Sequence, residues 1–92
     1  MIDANTVLRR RSDTRFRLLG SEGIVIQQTA GDVIALNPVA ARAVELVDGE
    51  RSAGDIVDHV QQEFDASRDQ IEQDVLGFLG MLSEQDVLER VE

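Results

Sequence analysis

The sequence predicts a compact α+β domain in which three short antiparallel strands are followed by three helices. Three observations support this prediction. β-like segments separated by glycine-containing turns occupy residues 14–36, apolar residues then recur at helical spacing, and each helical segment follows a capping residue. The length of 92 residues allows one modest core and no second domain.

The three predicted strands are short and close together in sequence. Their apolar and β-branched segments cover residues 16–19, 24–29 and 33–36. The segments between them, 20–23 and 30–32, have the length and glycine content of turns between antiparallel strands. A three-stranded meander is expected, and its last strand forms an edge of the sheet unless it lies at the centre.

The first helix has clear start and end signals. Asn37 is expected as the N-cap and Pro38 at the first helical position. The pair Asp48-Gly49 ends the helix, because glycine adopts the left-handed conformation without a steric cost. The apolar positions of this helix are Val39, Ala40, Ala43, Val44 and Val47.

The second and third helices begin at serine residues. Ser52 and Asp55 have the spacing of a capping box, and Ser67 and Gln70 repeat it. The third helix is expected over residues 68–85. The apolar stripes consist of Ile56, Val57, Val60 and Phe64 in the second helix and of Ile71, Val75, Phe78, Leu79 and Leu82 in the third. The apolar tail expected to dock on the core is Val87, Leu88 and Val91.

Charge is distributed unevenly. Residues 1–47 contain six arginines and five acidic residues, a net +1, whereas residues 48–92 contain three arginines and thirteen acidic residues, a net −10. Two interpretations remain open: a solvated helical surface, or a surface that steers basic partners. The second and third helices have the outline of a helix-turn-helix, but residues 68–74 carry three acids and one arginine. Such a helix repels phosphate, so we predict no nucleic-acid binding.

Residues 1–13 are predicted to be a loose lead-in to a single domain over residues 14–92. They contain Arg9-Arg10-Arg11 and little apolar material after Leu8. The triplet is too short to indicate a nucleic-acid site. A solvated cluster or a contact with the acidic half of the same domain is the preferred interpretation.

Catalysis, bound metals and cofactors are not expected. The chain lacks cysteine, and its one histidine, His59, is predicted to point away from the apolar stripe of the second helix. The neighbouring acids Asp55, Asp58 and Glu63 lack the spacing of a metal site. No apolar run approaches the roughly 20 residues that span a bilayer, and no secretion signal is visible. A cytoplasmic protein without a membrane partner is expected.

The strand over residues 33–36 and the third helix carry the remaining candidate features. The strand contains no charge or proline to protect its edge, so an extended peptide can add to it as a further strand. The alternative is that the N-terminal lead-in covers this edge. On the third helix, Asp74 and Met81 lie on the flank. Gly77 and Gly80 either admit the close approach of another chain or are merely tolerated.

This pattern resembles the PqqD-like family, the peptide-recognition elements of ribosomally made, modified peptides. The resemblance runs over most of the chain. The sequence departs from the family pattern near its end, where Gln85-Asp86-Val87 replaces the usual glycine. The residues that carry it are Leu36-Asn37, Ala40, Asp48-Gly49, Ile56, Val57, Phe64, Asp74-Val75, Phe78-Leu79 and Leu82.

The resemblance implies a winged-helix-like domain that binds the leader of a precursor peptide as an extra antiparallel strand. The domain then presents the precursor to a separate modifying enzyme, such as a radical S-adenosylmethionine (SAM) enzyme, in pathways such as PQQ biosynthesis. The implied peptide-binding residues are the main chain of Val33, Ile34 and Ala35 and the side chains of Asp74, Phe78 and Met81; Phe78 has an alternative place in the core. A second hypothesis is a winged-helix regulatory or protein-interaction module without leader binding. Monomer and homodimer both remain open.

Overall fold

Five strands and three helices follow one another in the computed structural model, which describes residues 2–91. In chain order they are β1 (Leu8–Arg10), β2 (Thr14–Leu19), β3 (Glu22–Gln27), β4 (Asp32–Leu36), α1 (Pro38–Leu46), α2 (Ala53–Glu63), α3 (Arg68–Glu84) and β5 (Leu88–Arg90). The predicted α+β class, a three-stranded antiparallel sheet followed by three helices, is confirmed.

The three-stranded sheet is a meander with the strand order β2-β3-β4. Its register places Phe16 opposite Val25 and Val25 opposite Ile34. Because side chains alternate along a strand, one face of the sheet points to the core and the other points away. Val25 and Leu36 are buried on the inner face. β4 is therefore an edge strand, as one of the two sequence interpretations expected.

The helix ends follow the local signals. The Oδ1 atom of Asn37 accepts a hydrogen bond from the amide of Ala40 at 2.9 Å. α1 ends before the predicted Asp48-Gly49 pair, because its cap Val47 is already extended (φ −70°, ψ 115°); Gly49, with a φ of 81°, belongs to the turn that follows. Ser52 and Asp55 form the expected reciprocal capping box, with both bonds at 3.1 Å. The N-caps therefore fix where α1 and α2 begin, and the predicted starts agree with the observed ones.

The helices cover the inner face of the sheet. α1 packs closest, since a Cβ atom added to Gly23 of β3 would lie 3.3 Å from the Cβ of Ala41. The apolar stripe of α3 contributes four fully buried side chains to this core: Ile71, Val75, Leu79 and Leu82. Phe64 and Phe78 are only partly buried and pack at the margin of the core. The sheet thus retains an uncovered outer face and an uncovered edge.

The N-terminal segment is not the loose lead-in that the sequence predicted. Residues 8–10 form β1, which pairs antiparallel with β5 and joins Leu8 to Arg90 and Arg10 to Leu88 in its register. Leu8 and Leu88 are buried on one face, while the Nε atom of Arg9 lies 2.6 Å from Oε2 of Glu89 on the other. The prediction was wrong because this pairing joins residues about 80 positions apart. The local sequence contains no signal for such a long-range pairing. The alternative contact between the arginine triplet and the acidic half is confirmed.

The C-terminal tail docks on the core as expected, with Val87 and Leu88 buried. Asp86, immediately before it, has a φ of 61°, a conformation in which glycine is the usual residue and aspartate is tolerated. The departure from the family pattern near residues 85–87 therefore falls at a left-handed turn. α3 runs to Glu84 in spite of it.

Candidate functional site

The direction of the main-chain groups along β3 follows from one hydrogen bond at the base of the first hairpin. The amide of Gln28 donates to the carbonyl of Asp13 at 2.9 Å, and the same register pairs Arg15 with Ile26. Hydrogen-bonded and non-hydrogen-bonded pairs alternate in an antiparallel ladder. Ile26 therefore bonds to β2, and its neighbour Val25 directs its N–H and C=O groups to β4.

The same alternation decides which groups of β4 face outward. Ile34 stands opposite Val25, so its main-chain N–H and C=O groups face β3. Val33 and Ala35 consequently direct their N–H and C=O groups away from the sheet. Among residues 2–91, β3 is the only strand that pairs with β4. The outward donors and acceptors thus belong to Val33 and Ala35, whereas the expected main-chain role of Ile34 does not agree with this register.

The lead-in does not cover this edge. The described N-terminal residues form the separate two-stranded sheet of β1 and β5. Residues 4 and 6 accept hydrogen bonds from the amides of Gly54 and Ala53, which ties the segment to the start of α2. The alternative in which residues 1–13 occupy the β4 edge is therefore rejected for the part that the structure describes.

The three predicted residues of α3 lie together. They line an open depression of about 300 Å³, whose walls are Gln73, Asp74, Gly77, Phe78 and Met81. The spacing of residues 74, 78 and 81 places them on one side of the helix. Phe78 is half-buried and Met81 is exposed, so the depression has an apolar floor and an adaptable apolar rim.

Asp74 supplies the charge of this depression. Its Oδ1 atom accepts a hydrogen bond from Nε2 of Gln70 at 2.9 Å. Gln70 was expected to complete a capping box with Ser67. Ser67 does accept from the amide of Gln70 at 3.2 Å, but the Gln70 side chain turns to Asp74. The carboxylate is thereby held at the wall of the depression, where it remains half-exposed.

Gly77 and Gly80 are not required by packing within the chain. A Cβ atom added to Gly77 would meet nothing within 4 Å, and one added to Gly80 would lie 3.9 Å from Cγ1 of Ile2, an ordinary contact. Gly77 and Met81 also line a second, larger depression of about 670 Å³ with Leu76. Gly77, which has no side chain, therefore lines both depressions, and the two adjoin along α3. The sequence interpretation did not include Leu76 or Gln73, because neither belongs to the buried stripe.

Ile34 of β4 and Phe78 of α3 lie at the margin of the core. Both are half-buried and pack against the same hydrophobic core. Val33, Ile34 and Ala35 are consecutive in β4, and Asp74, Phe78 and Met81 share one depression. The predicted site therefore consists of two groups of residues that lie at the margin of one core.

The acidic residues around His59 form caps and ion pairs. His59 is exposed on α2, and its acidic neighbours are engaged: Asp55 in the capping box, Asp58 with Arg68 at 2.6 Å, and Glu63 with Arg42 at 2.7 Å. Within residues 2–91, no group of three or more histidine, aspartate or glutamate side chains is placed to hold a metal ion. No helix in the same range is long and apolar enough to cross a membrane.

A polar network closes the end of the three-stranded sheet. Gln27 is buried, and its Nε2 atom donates to Asp13 Oδ2 at 3.0 Å and to the carbonyl of Asp86 at 2.9 Å. Hydrogen bonds from Gln27, Thr29 and Arg11, in that order of importance, hold the pKa of the Asp13 carboxyl well below its usual range. All the buried polar side-chain atoms that the structure describes have partners, so this network is structural.

Comparison with known proteins places the geometry in a family. A family model described as Coenzyme PQQ synthesis protein D (PqqD) matches residues 18–88. The PqqA binding protein of Gluconobacter oxydans (strain 621H) is 36% identical over 63 residues, which are 68% of this chain and 66% of that protein.

Two solved structures resemble the fold. The solution structure of the PqqD truncation of Methylobacterium extorquens PqqCD, described as a functional and stand-alone recognition element for ribosomally synthesised and modified peptides, has a TM-score of 0.79 at 26% identity and covers 98% of this chain and 96% of its own. TbiB1, solved in complex with the TbiA(beta) leader peptide, has a TM-score of 0.77 at 22% identity and covers 88% of this chain and 94% of its own. At that identity the likeness to TbiB1 concerns the fold alone.

Proposed function

Because the chain belongs to the PqqD family, we propose that it is a non-catalytic adaptor for a ribosomally made precursor peptide. It binds the leader of that peptide by strand addition and presents it to a separate modifying enzyme, such as a radical SAM enzyme. The names of its relatives support this function: one is a PqqA binding protein, and another is a recognition element for modified peptides. We further propose that the binding step takes place in the cytoplasm.

The main observation behind this proposal is that the main-chain N–H and C=O groups of Val33 and Ala35 face away from the sheet. They offer two donors and two acceptors on an edge strand without proline or charge in residues 33–36. At about 0.5–1.5 kcal/mol for each hydrogen bond, four bonds contribute about 2–6 kcal/mol. Micromolar binding requires about 8 kcal/mol, so main-chain pairing needs the help of side-chain contacts.

The depression on α3 supplies those contacts. An apolar side chain of the leader lies over Gly77 and against Phe78 and Met81, and a basic side chain pairs with Asp74. Methionine adapts its shape to different apolar partners, which suits a site that holds an extended peptide. The proposed site therefore contains the main chain of Val33 and Ala35, the side chain of Ile34, and the three α3 residues Asp74, Phe78 and Met81.

The clearly shifted pKa values lie away from the proposed peptide site. Among residues 2–91, clearly shifted pKa values occur at Asp13, Asp48, Arg11 and Arg42. Each of these groups is part of a local hydrogen-bond or ion-pair arrangement at the surface, and none lines the α3 depression.

The test is a nitrogen–proton NMR titration of the whole chain with the short peptides encoded beside its gene. Shifts are expected at residues 33–36 and 73–81, and a peptide of the same composition in scrambled order should leave them unchanged. A folded protein that shows no shift with any of these peptides would refute leader binding. A stable homodimer without peptide affinity would instead indicate a protein-interaction module.

A further inference from the structure

The face of the three-stranded sheet that points away from the helices is unusually apolar for an uncovered surface. Two rows cross it, Arg15-Ile26-Val33 and Arg17-Ile24-Ala35, as the register shows. We call these six residues the outer face. An antiparallel sheet with one solvated face normally alternates apolar and polar residues along its strands.

The central strand of this sheet does not alternate. Residues 23–26 form the continuous apolar run Gly-Ile-Val-Ile, a pattern typical of strands that are covered on both faces. Val25 is covered by the helices, but Ile24 and Ile26 are half-exposed, and Val33 beside them is 65% exposed. The outer face therefore has the composition of a surface that another molecule covers.

The charge of the outer face indicates the kind of molecule. Arg15 and Arg17 are exposed and form no ion pair with any residue from 2 to 91. Other arginines do form ion pairs within residues 2–91, among them Arg9, Arg11, Arg42, Arg51 and Arg68. Glu22 lies beyond the two rows at the hairpin turn and leaves the face with a net positive charge.

We propose that the outer face is the docking surface for the modifying enzyme, whose matching surface presents carboxylates around an apolar centre. This inference rests on the proposed adaptor function. A protein fits better than a nucleic acid, because isoleucine and valine form the centre of the face and the chain as a whole carries a charge of −9. Two copies joined through this face would bring their arginines together, which disfavours a symmetric dimer.

The bound leader enlarges the same surface. Residues that pair directly across two strands place their side chains on the same face of the sheet. Leader residues opposite Val33 and Ala35 therefore add their side chains to the outer face. The enzyme then contacts adaptor and leader together, and it binds the loaded adaptor more tightly than the empty one.

The test measures binding of the adaptor to the modifying enzyme encoded beside its gene, with and without saturating leader peptide. The double variant Arg15→Gln/Arg17→Gln removes two positive charges from exposed positions. Its matched control, Gln61→Glu/Gln62→Glu, makes the same change of −2 in net charge on α2. We expect the arginine variant to weaken enzyme binding by on the order of tenfold while leader affinity stays within about twofold, and the control to change neither.

Three outcomes would overturn the docking surface. One is equal enzyme affinity for the wild type and the arginine variant. Another is an equal loss in the control, which would mean that net charge alone matters. The third is a dimer of the wild type in sedimentation that the arginine variant abolishes, since the face would then join two copies of this chain. Failure of leader binding in the wild type is a separate result, and it would refute the adaptor function itself.

Discussion

Substitution of Val33 by proline isolates the main-chain contribution to peptide binding. Proline lacks an N–H group, and the N–H of Val33 faces outward, so the ladder between β3 and β4 keeps its hydrogen bonds. In the complex, the variant loses one bond and leaves a leader carbonyl without its donor. That loss costs about 1–3 kcal/mol, which raises the Kd of the leader roughly 5- to 150-fold.

Ile34→Pro is the matched comparison. The N–H group of Ile34 faces Val25 within the sheet, so its loss removes a ladder bond and should lower the free energy of unfolding by about 1–3 kcal/mol. Calorimetric titration with the leader gives Kd, and denaturant unfolding gives the stability of each variant. A folded Val33→Pro protein with wild-type affinity would refute strand addition at β4. Loss of stability in Val33→Pro, with none in Ile34→Pro, would refute the register.

Two further predictions concern the helix and the polar network. Gly77→Ala and Gly80→Ala should each stabilise α3 by about 0.8–1 kcal/mol, because alanine fits at both positions. Only Gly77→Ala should weaken leader binding, by about 1 kcal/mol or roughly fivefold, since its methyl group enters the proposed site; equal affinities for both variants would contradict this. The lowered pKa of Asp13 predicts stability that is present above the unfolded value of about 3.9 and is lost as the pH falls toward the folded value. Asp13→Asn should therefore have a lower Tm than the wild type at pH 7 and a smaller deficit at about pH 3, whereas the exposed Asp65→Asn control should show little difference at either pH; an unchanged deficit for Asp13→Asn would refute this account.

Local signals explain why most of the fold could be predicted. Asn37, Ser52 and Ser67 each cap a helix through bonds within a few residues, so their spacing is visible in the sequence. The pairing of β1 with β5 has no such signal. Leu8 and Leu88 are separated by almost the whole chain, and the arginines around Leu8 resemble a solvated segment until Glu89 is brought beside Arg9.

The site could be predicted in outline for similar reasons. The unprotected run of residues 33–36 indicates an edge strand, and the spacing of residues 74, 78 and 81 indicates one side of a helix. Which residues of β4 face outward depends on the register with β3, which is fixed at Gln28 and Asp13. The sequence alone cannot tell whether the main-chain groups of Ile34 or those of its neighbours face outward. A shift of the register by one residue exchanges the two sets.

Hydrogen–deuterium exchange at single amides tests strand addition most directly. In the free protein, the amide of Ile34 should exchange slowly and those of Val33 and Ala35 quickly, because only the first is bonded within the sheet. Saturating leader peptide should slow exchange at Val33 and Ala35 and leave Ile34 slow. Amides of Val33 and Ala35 that are already protected without peptide, or that stay unprotected with it, would contradict the account.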